Sequence, residues 1–409
     1  MKICLISNLY PPYERGGAEQ VVKNTVEGLL QRGFEVVIIT ARPFFAKKER
    51  IIERPGFKIY RFSSRNLFFY GHDYRYPACL RFFWHIFDFF NLYSFCKVRR
   101  ILKKERPDAV HTHNLKGIGF LTPAAIRSLK MRHIHTLHDV QLAEPSGIII
   151  RGAAEKWPYN FFLRRFYEKI CRFLFGSPEV VISPSQFLLD FYERRGFFPQ
   201  SKKVVIPNPV LPVAGGEGPA RERRPSAVFN FLYVGQIETH KGVLFLIQSF
   251  KKLLLDFPGL FSNAFLQIAG SGSKMAEAKK IAGACPQIIF HGRAEREKLP
   301  EFFKEADITV VPSLCYENSP TVIFESFSFG VPVLASSIEG VAELIKDSEN
   351  GLTFEAGNGE SISLKMRWCL ANREDLEKMR MAAQQSILGR GLDEYLDKLV
   401  SLCYNNRLS

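Results

Sequence analysis

Short apolar runs alternate with longer amphipathic stretches along almost the whole chain, a pattern that predicts parallel strands joined by crossover helices. In the first half the strand-like runs are KICLIS (2–7), EVVIIT (35–40), FKIYRF (57–62), DAVHTH (108–113), RHIHTLH (132–138), EVVISPS (179–185) and KVVIP (203–207). The rhythm restarts with FNFLYVG (229–235), AFLQIAG (264–270), QIIFHG (287–292), DITVVPS (307–313) and VPVLASS (331–337). Both halves therefore read as doubly wound α/β domains. Between them, NPVLPVAGGEGPARERRPS (208–226) is rich in Pro, Gly and charge and follows neither period, as a linker does. The expected partition is an N-terminal domain over 1–207, a linker over 208–226, a second domain over 227–385, and a final helical stretch over 386–409 whose candidate docking place is the first domain.

Length and composition agree with two soluble cores: 409 residues exceed one ordinary domain, with 46% apolar and 24% charged residues. The apolar run Ile3 to Ile6 is too short for a secretory signal. The aromatic stretch Phe82 to Phe95 is interrupted by His85, Asp88 and Asn91, so no membrane span is expected. Eight scattered cysteines form no CxxC and no Cys/His cluster, which argues against zinc and disulfides and for reduced thiols in a cytoplasm. Charge is lopsided: residues 1–200 hold 32 Lys+Arg against 17 Asp+Glu, and 201–409 hold 24 against 24. The whole excess sits in the first half, as on a surface that meets something anionic or one that is merely solubilising.

The strongest chemical signal is YENSPTVIFESFSFGVPVLAS (316–336). A strand ends at Ser313, a loop follows, and Pro320 opens a helix that Gly330 stops. The amides of Ser319, Pro320's neighbour Thr321 and Val322 then form a helix N-terminus suited to phosphate, beyond the carboxyl end of a strand. Glu317 precedes that helix and Glu325 lies within it, eight positions on. Two ionised carboxylates so placed can each accept hydrogen bonds from a pair of hydroxyls. VGQIETHKG (234–242) leaves another strand and presents Lys241 at a helix opening, where an ammonium can neutralise a departing diphosphate. IAGSGS (268–273) places Gly270, Ser271 and Gly272 in a turn able to bring backbone close to a ligand.

The E-x7-E spacing followed by FGVPVLAS resembles the retaining GT-B glycosyltransferases of family 4, and the resemblance spans nearly the whole chain apart from about 42–105 and 142–178. It implies a GT-B architecture, two doubly wound Rossmann-like domains facing across a cleft, and transfer of a sugar from a nucleotide diphosphate. By resemblance Glu317 contacts the donor sugar, Glu325 the ribose, and the turn after FHGR (His291, Gly292, Arg293) the base. The family pattern Gly-Arg-x-x-x-x-Lys-Gly has two cations on the diphosphate; here Gln236 stands in the Arg position, which removes one charge. Gly16 and Gly17, after the first strand, take the family's place for a loop that approaches donor diphosphate or acceptor, and their spacing excludes a GxGxxG fingerprint. His138 matches the residue beside the reacting sugar. His113 and Asp139 read as its neighbours, and Ser185 as a helix N-cap.

Catalytic roles therefore fall to His138, Lys241 and Glu317, with donor binding by the others. No cofactor is expected, and in the absence of a DxD motif no metal. The partners expected are a nucleotide-sugar donor and a glycan or lipid-linked acceptor, with no nucleic acid. The aromatic-basic segments 65–104 and 156–175 admit two readings: interfacial helices on an anionic membrane, which would make the protein peripheral at the inner face, or core helices with basic outer faces. Two other functions remain open, a non-catalytic nucleotide-sugar binder and a sugar-nucleotide epimerase.

Overall fold

A computed structural model describes residues 1–14, 16–46, 51–150, 162–210 and 227–404. They form two compact units, one drawn from Met1–Gly147, Asn160–Pro209 and Leu392–Ser409, the other from Ile148–Tyr159 and Val210–Gly391. Residues 211–226 of the expected linker, 156–161 of the second aromatic-basic segment and 405–409 lie outside the described residues.

The first unit holds an eight-stranded sheet: β1 (Lys2–Ser7), β2 (Glu35–Ala41), β3 (Ile51–Arg54), β4 (Phe57–Phe62), β5 (Ala109–Thr112), β6 (His133–Thr136), β7 (Val180–Ser183) and β8 (Lys202–Val205), in the order β3-β4-β2-β1-β5-β6-β7-β8. All neighbours are parallel except β3, which pairs antiparallel with β4 at the edge. The second unit's sheet comprises β9 (Phe229–Val234), β10 (Ala264–Ala269), β11 (Ile288–Gly292), β12 (Ile308–Val311), β13 (Val333–Ser336) and β14 (Gly351–Phe354), all parallel, in the order β11-β10-β9-β12-β13-β14. Strands of such sheets are covered on both faces, so their sequences are apolar throughout rather than alternating. β1 and β2 show this, with Ile3–Ser7 and Val36–Ala41 wholly buried.

On one face of the first sheet, α1 (Gly17–Gln31) contributes Val22, Val26 and Leu29 to a core shared with Ile3, Leu5, Val36 and Ile38. The final helix, Leu392–Tyr404, lies in this same core through Tyr395, Leu396, Leu399 and Leu402, and Arg32 of α1's end bonds Asp393 and Asp397 at 2.8 and 2.6 Å. The second unit accordingly runs to Gly391 rather than 385. It also takes Ile149 and Ile150, because Ile150 bridges Cys315 and the amide of Tyr316 donates to Ile149 O at 2.9 Å.

On the other face lie α2 (Ala78–Phe89) and α3 (Leu92–Glu105). Asn91 caps α3, its side chain accepting from the Ser94 amide at 2.8 Å, and Val98, Ile101 and Leu102 pack inward. The outer face of α3 is basic, with Arg100, Lys103 and Lys104 exposed. In α2 the inward residues are Trp84, Asp88 and Phe89, while Leu80, Phe82, Phe83, Ile86 and Phe87 are 42–56% exposed. Of the two readings of this segment, the basic outer face holds for α3 and an apolar, aromatic one for α2. Asp88 fastens α2 by accepting from the Gly117 amide at 2.8 Å, and its burial pushes its carboxyl pKa up to about 7. Among the described residues no helix is long and apolar enough to cross a membrane.

Candidate functional site

In an open parallel sheet, loops that leave neighbouring strands in opposite directions open a crevice at the strands' carboxyl ends. In the second unit that point lies between β9 and β12, since β10 and β11 build one flank and β13 and β14 the other. Lys241 follows β9 and Glu317 follows β12.

Two hydrogen-bonded loops set this geometry. After β9 the chain makes a 3-10 turn, Thr239–Lys241, ended by Gly242 at φ +73°, and then enters the helix Val243–Asp256. A Cβ at Gly242 would stand 1.8 Å from Pro312 O, so only glycine lets the two loops meet and carries the left-handed turn. The Leu314 amide donates to His240 O at 2.9 Å across the same seam. Lys241 Nζ then reaches Glu317 Oε1 at 2.6 Å, and Ser313 Oγ donates to the same oxygen at 2.8 Å. Burial alone would draw the ammonium's pKa down; attraction to Glu317 and Cys315 and the hydrogen bond to Glu317 outweigh it, and the pKa is raised. Lys241 is therefore cationic at neutral pH. The carboxylate beside it keeps Oε2 without a hydrogen bond among the described residues.

The helix expected from Pro320 spans Thr321–Ser328, with Pro320 itself at the N-cap position and Gly330 at φ +65° after its end. Thr321 and Val322 are half-buried, Ser319 is buried, and Glu325 is half-buried in the helix's second turn. Glu317 and Glu325 thus share one strand-loop-helix unit. Behind the loop stands Gly340, where a Cβ would fall 1.8 Å from Glu317 O. Sequence reading passed over Gly340 and Ser313, both of which hold Glu317 in place; a polar residue ending a strand beside a candidate site was the available signal for Ser313.

The other turns of this unit serve partly as scaffolding. The Gly270 amide donates to Gly292 O at 2.7 Å, and Ser271 O accepts from the Ile237 amide at 3.0 Å, so these groups knit the β9, β10 and β11 ends together. The amides of Ser271 and Gly272 make no backbone hydrogen bond among the described residues. Gln236 is exposed, and Tyr233 Oη donates to its backbone carbonyl at 2.6 Å. His291 shares a hydrogen bond with Gln267 at 2.8 Å and meets the Phe302 ring edge-on; Gly292 has φ +71° and Arg293 is exposed.

In the first unit the switch point lies between β1 and β5. Gly16 caps α1 after β1, its amide donating to Glu19 Oε2 at 2.9 Å, and Gly17, expected in the loop, is the helix's first residue. His113 follows β5 and His138 follows β6, with His113 Nδ1 and His138 Nε2 2.9 Å apart. Behind them His111 bonds Thr136, and Thr112 bonds both His133 and His135. Burial depresses all five imidazoles, His111 and His135 to about 3 and His138 to about 4, so each is neutral at pH 7. Asp139 accepts from Asn114 and from the Gln141 amide, and burial raises its pKa. Ser185 caps the helix Gln186–Glu193 through its hydroxyl, as its sequence context predicts.

Two family models match the chain, "Glycosyltransferase Family 4" over residues 15–212 and "Glycosyl transferases group 1" over 217–386. An uncharacterized 42.6 kDa protein in the cps region of Klebsiella pneumoniae is 24% identical over 84% of this chain and 87% of its own. The UDP-Gal:alpha-D-GlcNAc-diphosphoundecaprenol alpha-1,3-galactosyltransferase of Escherichia coli is 26% identical over 66% of this chain and 68% of its own. Among solved structures, sucrose-phosphate synthase from Thermosynechococcus elongatus superposes with a TM-score of 0.75 at 19% identity, covering 100% of this chain and 99% of that one.

Proposed function

Given that the chain belongs to the family 4 glycosyltransferases of GT-B type, we propose that it moves a hexose from a nucleotide diphosphate sugar, with retention, to a lipid-linked or cell-surface glycan acceptor. The observation that carries this reading is the seat of Lys241 and Glu317 on the two loops that part at the β9/β12 switch point, 2.6 Å from each other.

In this reading bond cleavage between the anomeric carbon and the phosphate builds negative charge on the leaving diphosphate. Lys241, the amides at the start of Thr321–Ser328 and the Gln236 amide group are the donors that meet it, and fixed donors of this kind commonly contribute about 10²–10³ in rate each. Glu317 Oε2 and the Glu325 carboxylate accept from donor hydroxyls. His138 is neutral at pH 7, so it serves as a hydrogen-bonding partner of the sugar rather than a charged one. The leaving phosphate takes the acceptor proton. No metal enters the scheme, and turnover that survives EDTA is its expected signature; complete loss in EDTA would overturn that part.

The acceptor side draws support from α2, whose exposed aromatic face suits burial at a membrane interface beside the basic face of α3. Flotation with vesicles rich in anionic lipid tests it: binding weakened by salt is expected, and no binding at any salt sinks it. The name of the galactosyltransferase relative, which acts on a diphosphate-linked lipid, points the same way.

Incubation with labelled nucleotide sugars and a membrane extract tests the whole. Transfer lost in Glu317→Ala with the fold intact is the expected result, and near-normal turnover of that variant refutes the site. Gln236 gives one observation in favour of a second reading, a nucleotide-sugar binder without turnover; binding with no transfer to any acceptor would establish it, and donor epimerisation would instead mark an epimerase.

A further inference from the structure

A pocket of about 460 Å³ lies in the first unit between the edge strands β3 and β4 and helix α3, reaching the ends of β2 and β4 where the chain leaves the sheet. Among the described residues its lining includes six cationic side chains, Arg42, Arg61, Arg65, Lys97, Arg100 and Lys104, and no acidic one. Lys97, Arg100 and Lys104 recur at helical spacing and so share one face of α3.

Two of these cations are buried with no carboxylate bonded to them among the described residues. Arg42 is 7% exposed and its side chain's one hydrogen bond among the described residues runs from a terminal nitrogen to Ala46 O, at 2.6 Å. Arg61 is 6% exposed, and its side chain likewise has one hydrogen bond among the described residues, to Pro11 O at 2.6 Å. The Nε of each is buried with no partner. Burial pushes the Arg61 pKa down, with only Tyr10 and Tyr13 acting against it, yet a guanidinium stays charged at any ordinary pH. Glu105, beside the pocket wall, is already bonded to Tyr60 Oη and lies within 3.5 Å of Lys2 and 3.3 Å of Lys58. Unpaired buried charge is costly unless an anion completes it.

The walls are apolar. Tyr60, Phe62, Tyr93 and Ile101 line the pocket; Arg65, held at φ +53°, stacks its guanidinium on Tyr93 at 4.4 Å. Phe44 and Ile51 at its mouth are 64% and 51% exposed, next to Phe45 at 90%. Cations with aromatic walls and an apolar mouth match a ligand that is anionic at one end and hydrocarbon at the other. We propose that this pocket binds a lipid-borne diphosphate, with Arg42, Arg61 and Arg100 on the phosphates and Phe44 and Ile51 against the chain. That this lipid is the acceptor rests on the transferase reading above; the binding itself does not.

Calorimetry of the full chain with farnesyl diphosphate and with inorganic pyrophosphate tests it. Farnesyl diphosphate is expected to bind at least tenfold more tightly than pyrophosphate, and to weaken at least tenfold in Arg100→Glu/Lys104→Glu, whose side chains are exposed and whose fold is checked by circular dichroism. Arg42→Gln is expected to weaken it further. Equal affinity for the two probes overturns the lipid assignment, and binding that is absent, or unchanged in the double variant, overturns the site. Glu317→Ala is expected to retain farnesyl diphosphate binding while losing transfer, so the site and the transferase reading fail separately.

Discussion

At the carboxyl edge of the first sheet the polar side chains are imidazoles held neutral, His113 against His138 with His111, His133 and His135 behind. At the same edge of the second sheet an ammonium is clamped to a carboxylate, Lys241 on Glu317. The second arrangement sits at its sheet's switch point and the first beside its own, across β5 and β6, and each solves desolvation differently. The first discharges its groups by shifting their pKa; the second keeps charge by pairing it. The proposed diphosphate site calls for the second solution, since a retained cation adds its full charge to what helix amides and Gln236 offer a growing negative charge. The proposed place of His138 beside a neutral sugar is served by the first, which offers directed hydrogen bonds without a field.

The largest test of this contrast is acid. An imidazole whose folded pKa lies below its unfolded value of about 6.5 contributes stability that is fully present above that value and is lost as pH falls towards the folded pKa, about 3–4 for His111, His135 and His138. Each costs about 1.4 kcal/mol per pH unit in that window. Asp88 and Asp139, whose pKa values are raised, oppose this by taking up protons in the folded state. With His85, lowered to about 3, six imidazoles of the first unit stand against these two carboxyls, so the balance is a loss of stability as pH falls from about 7.5 to about 5.5. Urea melts followed by hydrogen exchange of β5 and β6 are expected to show the first unit giving way first; equal acid loss in both units would break the comparison.

Next in size is Lys241→Met, expected to lower kcat by about 10²–10³ while leaving the stability of the first unit unchanged. Steady-state turnover measures it, and a change confined to KM would mean that the ammonium binds donor and transition state alike. Replacing Phe83 and Phe87 together by Ser removes exposed apolar surface from α2 and is expected to cut vesicle binding about tenfold with soluble-acceptor turnover unaffected. The smallest effect expected is from Gln236→Arg, which restores a second cation to an exposed position and should tighten donor binding by about 1 kcal/mol or less.

Much of this was legible in the sequence because buried parallel strands declare themselves as unbroken apolar runs. Twelve such runs each contain an observed strand. β3 escaped notice because it is an exposed edge strand, IIER, carried only by its hairpin with β4, although Pro55-Gly56 marks the turn. β14 escaped because four residues after Asn350 are too few to show a period. The helix at Pro320 and the cap at Ser185 followed from local rules. What sequence could not supply was pairing across distance: Glu317 meets Lys241 76 positions away, and Gly340 buttresses Glu317 by close approach rather than by any motif. Nor does α2 reveal its outward face, since CLRFFWHIFDF is apolar almost all round and only the packing of Trp84, Asp88 and Phe89 decides which side is covered.

The helix Leu392–Tyr404 fills the first unit's core although the chain reaches it only after the second unit. On the ribosome, where domains generally fold N-terminal first, the first unit therefore cannot complete its core before the second unit has been synthesised. Residues 1–209 emerge with a gap where Tyr395, Leu396 and Leu399 belong, and the second unit can close first. A nascent chain halted near Gly391 would leave α1 without the helix that packs on it, so the first unit's core is completed only once translation passes Tyr404.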